Sequence, residues 1–147
     1  MSWIRVWLHF VWSTKNRIPF LNEEIRPELF THIRENAIEK NIHIDFINGY
    51  TDHVHLLVSL SADQKLSEIS RLIKGESSFW MNKNKKVQSH FKWQDDYFVA
   101  SVSHSHVNRV RNYIKKQEAH HKKMSWEGEL ELMKTKYGFI RKQDGLG

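Results

Sequence analysis

His43-Ile44-Asp45-Phe46-Ile47-Asn48-Gly49-Tyr50-Thr51-Asp52-His53-Val54-His55-Leu56-Leu57-Val58-Ser59-Leu60 is the stretch that decides how this chain folds. Its first part alternates, with Ile44, Phe46 and Tyr50 on one side, and Thr51-Asp52 makes a tight connection to residues 53–60. The expectation is two antiparallel strands joined as a hairpin. In the second strand Val54, Leu56 and Val58 point into a core, which places His53 and His55 side by side on the opposite face.

Upstream, the even positions Ile4, Val6, Leu8, Phe10 and Trp12 are apolar while the odd ones include Arg5 and His9, a period of two. This predicts a first strand over residues 3–12 with one buried face. After a loop at 16–20, Asn22 precedes Glu23 and Glu24, and Ile25, Leu29, Ile33 and Ala37 follow at helical spacing beside Phe30 and Ile38. That first helix ends near Lys40.

Downstream, Leu66, Ile69, Ile73 and Trp80 define the buried stripe of a second helix over 65–83, with Arg71, Lys74, Ser78 and Asn82 off it. A basic exit loop, Asn82-Lys83-Asn84-Lys85-Lys86, follows it. A fourth strand fits 97–103, and Ser105 caps a third helix over 106–121 with Val107, Val110 and Ile114 inside. The order β-α-β-β-α-β plus one further helix is α+β, a ferredoxin-like antiparallel sheet with an additional C-terminal helix. With the two crossover helices on the even-numbered face, the other face is left for the third helix and a ligand.

The chain has 147 residues, 39% of them hydrophobic, enough to close one core. There is no internal repeat, low-complexity run or Pro/Gly linker, so residues 1–147 read as a single domain, with 122–147 as its tail. In that tail Trp126, Leu130 and Met133 recur at helical spacing with Glu127, Glu129 and Glu131 interspersed, which suits a docking helix better than a DNA arm. Cysteine is absent, which excludes disulfides, thiolate metal sites and cysteine nucleophiles, and a reducing cytoplasm is the expected location. Apolar runs fall far short of the roughly 20 residues a membrane helix needs, and the N-terminus lacks the order of a signal peptide. The 23 Lys and Arg exceed the 17 Asp and Glu by enough to give a net charge of +6, which favours a polyanionic partner. Aromatic residues, at 12%, add rings that can stack unpaired bases.

Two imidazoles about 6.5 Å apart along one strand face can lean toward a single cation. The pattern alone is not specific, because His104-Ser105-His106 repeats it. Tyr113 and Gln117 are four residues apart and share a face of the third helix. A glutamine amide oxygen suits a hard divalent cation such as Mg²⁺ or Mn²⁺ and completes a site begun by two histidines, with the tyrosine beside it as a nucleophile.

His53-Val54-His55 after a hairpin, followed by Tyr113-x-x-x-Gln117 after the last strand, resembles the single-tyrosine HUH transposases of the insertion-sequence 200/605 type. The opening strand, Trp93-Gln94-Asp95-Asp96-Tyr97 and Gln117-Glu118-x-His120-His121 extend the resemblance over residues 3–140. It implies cleavage and rejoining of single-stranded DNA at hairpin-bearing element ends through a 5′-phosphotyrosine. Tyr113 is then the catalytic nucleophile, and His53, His55 and Gln117 hold the divalent metal, Mg²⁺ or Mn²⁺. It also implies a homodimer in which the helix carrying Tyr113 and Gln117 can complete the partner's site; assembly in cis or in trans is open. Relaxases share the histidine pair but usually add a third histidine, where Gln117 stands here.

Arg71, Lys74, Lys83, Lys85 and Lys86 are candidate contacts to DNA phosphates, and Arg109 raises the positive potential around Tyr113; each has the plainer reading of a solvated charge. His120 and His121 read as a solvated helix end. The rival reading is a non-catalytic or domesticated hairpin-binding module on the same sheet. The RNA-recognition version needs aromatic and glycine-rich sheet motifs, which this chain lacks.

Overall fold

The computed structural model describes residues 1–138, and residues 139–147 of the expected tail lie outside the described residues. Four antiparallel strands, β1 (Val6–Ser13), β2 (His43–Gly49), β3 (His53–Leu60) and β4 (Phe98–Val102), form one sheet in the order β2-β3-β1-β4. Helices α1 (Ile25–Glu39) and α2 (Leu66–Lys83) make the two crossovers. After β4 come α3 (Val107–Lys115), α4 (Gln117–His121) and α5 (Trp126–Tyr137). The fold is α+β and ferredoxin-like, as the alternation of periods two and 3.6 implies.

The main core lies on the even-numbered face. Leu8, Phe10 and Trp12 of β1 and Val54, Leu56 and Val58 of β3 pack there against Leu29, Phe30, Ile33 and Ala37 of α1 and Ile69, Ile73 and Met81 of α2. Asn22 starts α1 by accepting the Glu24 and Ile25 backbone N–H groups on its side-chain oxygen at 3.0 and 2.9 Å. The odd face is buried too: Trp7, Leu57 and Val102 pack under Val107, Val110 and Ile114 of α3, and Val11 under Trp126 and Met133 of α5.

Several boundaries differ from the sequence reading, each for a local reason. Strand β1 begins at Val6, because its partners run out at Leu60 and Val102; Trp3 and Ile4 are exposed. In β2 a bulge between Ile44 and Phe46 reverses the alternation, so Ile44 and Ile47 face the main core while Phe46 joins the odd-face cluster. The bulged Asp45 accepts two hydrogen bonds from Arg111 of α3, at 2.6 and 2.7 Å. The inner stripe of α2 runs through Ile69, Ser70, Ile73, Ser77 and Met81, leaving Leu66 exposed and Trp80 only half-buried. Trp80 stacks instead on His32, whose ring nitrogen meets Glu76. Ile38 faces solvent. The helix expected over 106–121 breaks at Lys116, where φ −93° and ψ 19° leave the helical range, and divides into α3 and α4.

The hairpin that carries the histidines is held tightly. A Cβ on Gly49 would lie 2.2 Å from the His53 carbonyl oxygen, so only glycine lets β2 turn this close to β3.

Candidate active site

His53 and His55 project from the odd face of β3 and are fully buried beneath α4 and α5. The break at Lys116 places Gln117 at the start of α4, where it is also fully buried. Asn48 of β2 fixes this corner by donating from its amide nitrogen to the Ile114 and Lys115 carbonyls at 3.0 and 3.1 Å. Gln117 Oε1 comes within 3.2 Å of His53 Nε2. Tyr113, one turn earlier on α3, turns its hydroxyl toward the same cluster. Within this single chain His53, His55, Tyr113 and Gln117 therefore meet without a partner subunit.

At the centre stands Glu129 of α5, which the sequence reading left among the polar residues of the tail. Its Oε1 lies 2.9 Å from His55 Nε2, 3.2 Å from His53 Nε2 and 3.1 Å from His121 Nε2. Its Oε2 accepts the Tyr113 hydroxyl at 2.5 Å and the Gln117 amide N–H at 3.3 Å, and lies 3.1 Å from His120 Nε2. Trp126, the first residue of α5, stacks on the His53 ring at 4.6 Å. The same helix is tied to the β1–α1 connection by an ion pair between Glu127 and Arg17.

A second layer orients the imidazoles. His53 Nδ1 donates to Asp52 Oδ1 at 2.8 Å. With neutral rings, Tyr137 donates to His9 Nδ1 at 3.0 Å, His9 Nε2–H to His55 Nδ1 at 2.8 Å, and His55 Nε2–H to Glu129. Every donor in that chain has its acceptor. His9 is fully enclosed on the odd face of β1.

Electrostatics follow from this burial. Burial pushes the His55 pKa down to about 4, against the pull of Glu129, so the ring is neutral. His9 is held well below the ordinary histidine value by burial and by His55. For His53 burial acts the same way, but the Asp52 and Glu129 carboxylates outweigh it and raise its pKa. Burial would raise Glu129, yet the surrounding imidazoles of His121, His53 and His55 hold it well below the carboxylate range. Tyr113 is driven up by burial and by the adjacent Glu129 carboxylate, so its phenol stays protonated.

The donor set fits a divalent cation. His53, His55 and Glu129 each offer a ligand atom, all within 4.8 Å of one another, and His120, His121 and Glu129 do the same. Neighbouring ligands in an octahedral shell of about 2.1 Å radius stand about 3.0 Å apart, close to the 2.9 and 3.2 Å separations from Glu129 Oε1 to His55 and His53. His53 Nδ1–H donates outward to Asp52, which leaves its Nε2 to ligate; for His55 to ligate through Nε2 the chain of bonds reverses, with His55 Nδ1–H donating to His9 Nε2 and His9 Nδ1–H to the Tyr137 oxygen. The Nε2 atoms of His120 and His121 are buried beside Glu129 without being aligned for a hydrogen bond. Imidazole nitrogen, carboxylate and amide oxygen together suit a divalent cation.

The candidate phosphate-binding residues are elsewhere. Arg71, Lys74, Lys83, Lys85 and Lys86 lie on or just after α2, on the opposite face of the sheet, and Arg109 is exposed on α3. Lys74 donates to the Asp95 carbonyl at 2.7 Å, Lys83 covers the Phe79 ring, and Lys86 pairs with Glu28 at 2.6 Å. Arg71 is 3.8 Å from Glu68. The reading of His120 and His121 as a solvated end is corrected: the His121 side chain is buried and both imidazoles adjoin Glu129. Signals for the missed residues did exist. His9, paired with Leu57, shares the odd face with the β3 histidines, and Glu129 sits three residues after Trp126 and four before Met133, on the inward stripe of α5.

The four-stranded ferredoxin-like fold is one shared with solved transposase structures. Residues 2–117 match the family of IS200-like transposases, and the protein is a member of that family. It is 25% identical over 114 residues to the ISDra2 transposase TnpA of Deinococcus radiodurans, covering 74% of this chain and 81% of that protein. In fold it is similar to a candidate transposase from Deinococcus radiodurans R1, with a TM-score of 0.64 and 23% identity over 79% of this chain and 93% of that one. It is also similar to a REP-associated tyrosine transposase bound to a REP hairpin, with a TM-score of 0.61 and 16% identity over 82% of this chain and 72% of that one. No helix among the described residues is long and apolar enough to cross a membrane.

Proposed function

We propose that this transposase cleaves and rejoins single-stranded DNA at hairpin-bearing element ends, with Tyr113 forming a 5′-phosphotyrosine and His53, His55 and Gln117 holding a divalent cation, Mg²⁺ or Mn²⁺. The observation that carries the reading is the meeting of the Tyr113 hydroxyl, the Gln117 amide and the two strand histidines in one cluster, within a chain of transposase family. Hairpin DNA as the partner is supported by the REP hairpin bound to a protein of similar fold.

The chemistry follows from the side chains. The Tyr113 oxygen bonds to phosphorus as the bond from phosphorus to the 3′-oxygen breaks; the phenol gives up its proton and the departing 3′-oxygen gains one. The DNA 5′ end is left on the tyrosine and the other end is a free 3′-hydroxyl. Because the phosphotyrosine conserves the ester, a second 3′-hydroxyl reverses the step on a new strand without ATP. A phenol with a reference pKa near 10, raised here by burial and Glu129, is a weak nucleophile by itself. A bound divalent cation supplies the positive charge that offsets the phosphoryl oxygens. Asp52 and His9 keep the two imidazoles aimed at the site. Tyr113 and His120 form part of the wall of a cavity of about 370 Å³, lined also by Met133, Lys136 and Tyr137. With α5 in place this cavity opens beside Tyr113, and the Lys136 ammonium, 5.6 Å from the Tyr113 ring, adds positive charge there.

A homodimer remains part of this reading. The meeting of Tyr113 with His53 and His55 within one chain supports assembly in cis, with cleavage by a single chain and exchange between two element ends by two. The test is to incubate the protein with hairpin-bearing single-stranded DNA and Mg²⁺ or Mn²⁺. A denaturation-resistant protein–DNA adduct is expected, lost with EDTA and lost in Tyr113→Phe. A hairpin-binding module would shift the DNA and leave no adduct.

A further inference from the structure

We propose that Glu129 is a working member of this site, with Oε1 ligating the divalent cation alongside His53 and His55 and Oε2 positioning the Tyr113 hydroxyl. The inference rests on the metal reading above and extends it to α5, a helix beyond the residues that match the family.

Several observations converge on the carboxylate. It is fully buried, and a buried charge must be offset by groups of opposite polarity. Compensation comes from nitrogens of His53, His55 and His121, all within 3.2 Å of one oxygen, Oε1. The two oxygens divide the pocket: Oε1 faces the strand histidines, and Oε2 faces Tyr113, Gln117 and His120. A carboxylate so placed joins cation to nucleophile through one rigid group. It also gives the site an anionic ligand, which the neutral set of two imidazoles and an amide lacks, and negative oxygen ligands favour Mn²⁺ and Mg²⁺.

The position of Glu129 on its helix fits the same role. Ser125 caps α5 by accepting the Gly128 N–H at 3.2 Å, and Trp126 stacks on His53, so the first turn of the helix, just before the carboxylate, is anchored. Glu127 and Glu131 on the same helix are exposed. Among the described residues of α5, Glu129 is the one buried carboxylate, and it faces the cluster of ligating nitrogens.

The decisive measurement is Mn²⁺ binding to the full chain without DNA, by calorimetric titration. Glu129→Gln keeps the shape and removes the charge, and is expected to bind Mn²⁺ at least about tenfold more weakly than the native chain; Glu131→Gln, at an exposed position of the same helix, is expected to leave binding unchanged. Binding by Glu129→Gln within twofold of native, while His55→Ala no longer binds, would overturn the role of Glu129 and leave the histidine site standing. Failure of the native chain itself to bind millimolar Mn²⁺ would overturn both. Electron–nuclear double resonance on the native Mn²⁺ protein, made with carboxyl-¹³C glutamate and unlabelled glutamine so that Gln117 is silent, avoids any folding defect of a variant: a ¹³C coupling of the size a directly bound carboxylate gives supports ligation, and its absence contradicts it. For the positioning half, adduct formation by Glu129→Gln should remain slow at saturating Mn²⁺. Full recovery of the native rate there would show that Oε2 does nothing for Tyr113.

Discussion

Adjacent residues of β3 are buried equally but serve different ends. Val54, Leu56 and Val58 face α1 and α2 in an apolar core, whereas His53 and His55, one residue out of step, face α4 and α5 among other imidazoles and a carboxylate. The first face gains stability from each methyl group it removes from water. The second pays for desolvating polar groups and recovers it only because nearly every nitrogen and oxygen finds a partner. Stability therefore resides on one side of the strand and chemistry on the other, and substitutions should separate the two.

The largest effect expected is on chemistry. His53→Ala and His55→Ala should each reduce adduct formation to background while largely sparing hairpin binding in a gel-shift assay, because the basic side chains of α2 proposed to hold the DNA phosphates lie on the opposite face. Loss of hairpin binding in step with cleavage would erase the distinction between the faces. The converse substitution, Leu56→Ala, should cost about 2–5 kcal/mol in urea unfolding through the cavity it leaves, with residual folded protein still binding Mn²⁺. An unchanged unfolding midpoint would show that the even face is not the stabilising one.

The smallest effect concerns Asp45, at the bulge that joins β2 to α3. The hydrogen bonds and charge of Arg111 hold its carboxyl below the usual value. Its contribution to stability is present above the unfolded aspartate pKa, near 3.9, and disappears as pH falls through the lower folded value. The pair is partly solvated, so Asp45→Asn should change stability at neutral pH by about 0.5 kcal/mol or less, and that difference should vanish in acid unfolding curves. A difference that persists below the folded value would contradict the assignment.

The extent to which these features can be read from sequence follows the physics of each element. The sheet order and both crossover helices are legible because periods of two and 3.6 are imposed by burial along contiguous stretches. The bulge at Asp45 is not, because one extra residue in β2 depends on the partner strand's register and on Arg111 sixty-six residues away. The kink at Lys116 is invisible for a similar reason: the residues on both sides suit a helix, and the break is fixed by Asn48 reaching the last carbonyls of α3. His53, His55, Tyr113 and Gln117 stand out by residue type and spacing. Glu129 does not, since a carboxylate among other carboxylates looks solvated until the inward stripe of α5 is known. His9 is intermediate, being in phase with the odd face but indistinguishable in sequence from an exposed histidine.

The most direct test of the central claim is to digest the protein after reaction with hairpin-bearing DNA and Mn²⁺, trim the DNA with nuclease, and locate the attached nucleotide by mass spectrometry. The account predicts a single modified peptide, with the nucleotide's 5′-phosphate on Tyr113. A nucleotide attached to Tyr50, Tyr97 or Tyr137, or cleavage with no modified peptide at all, would contradict it.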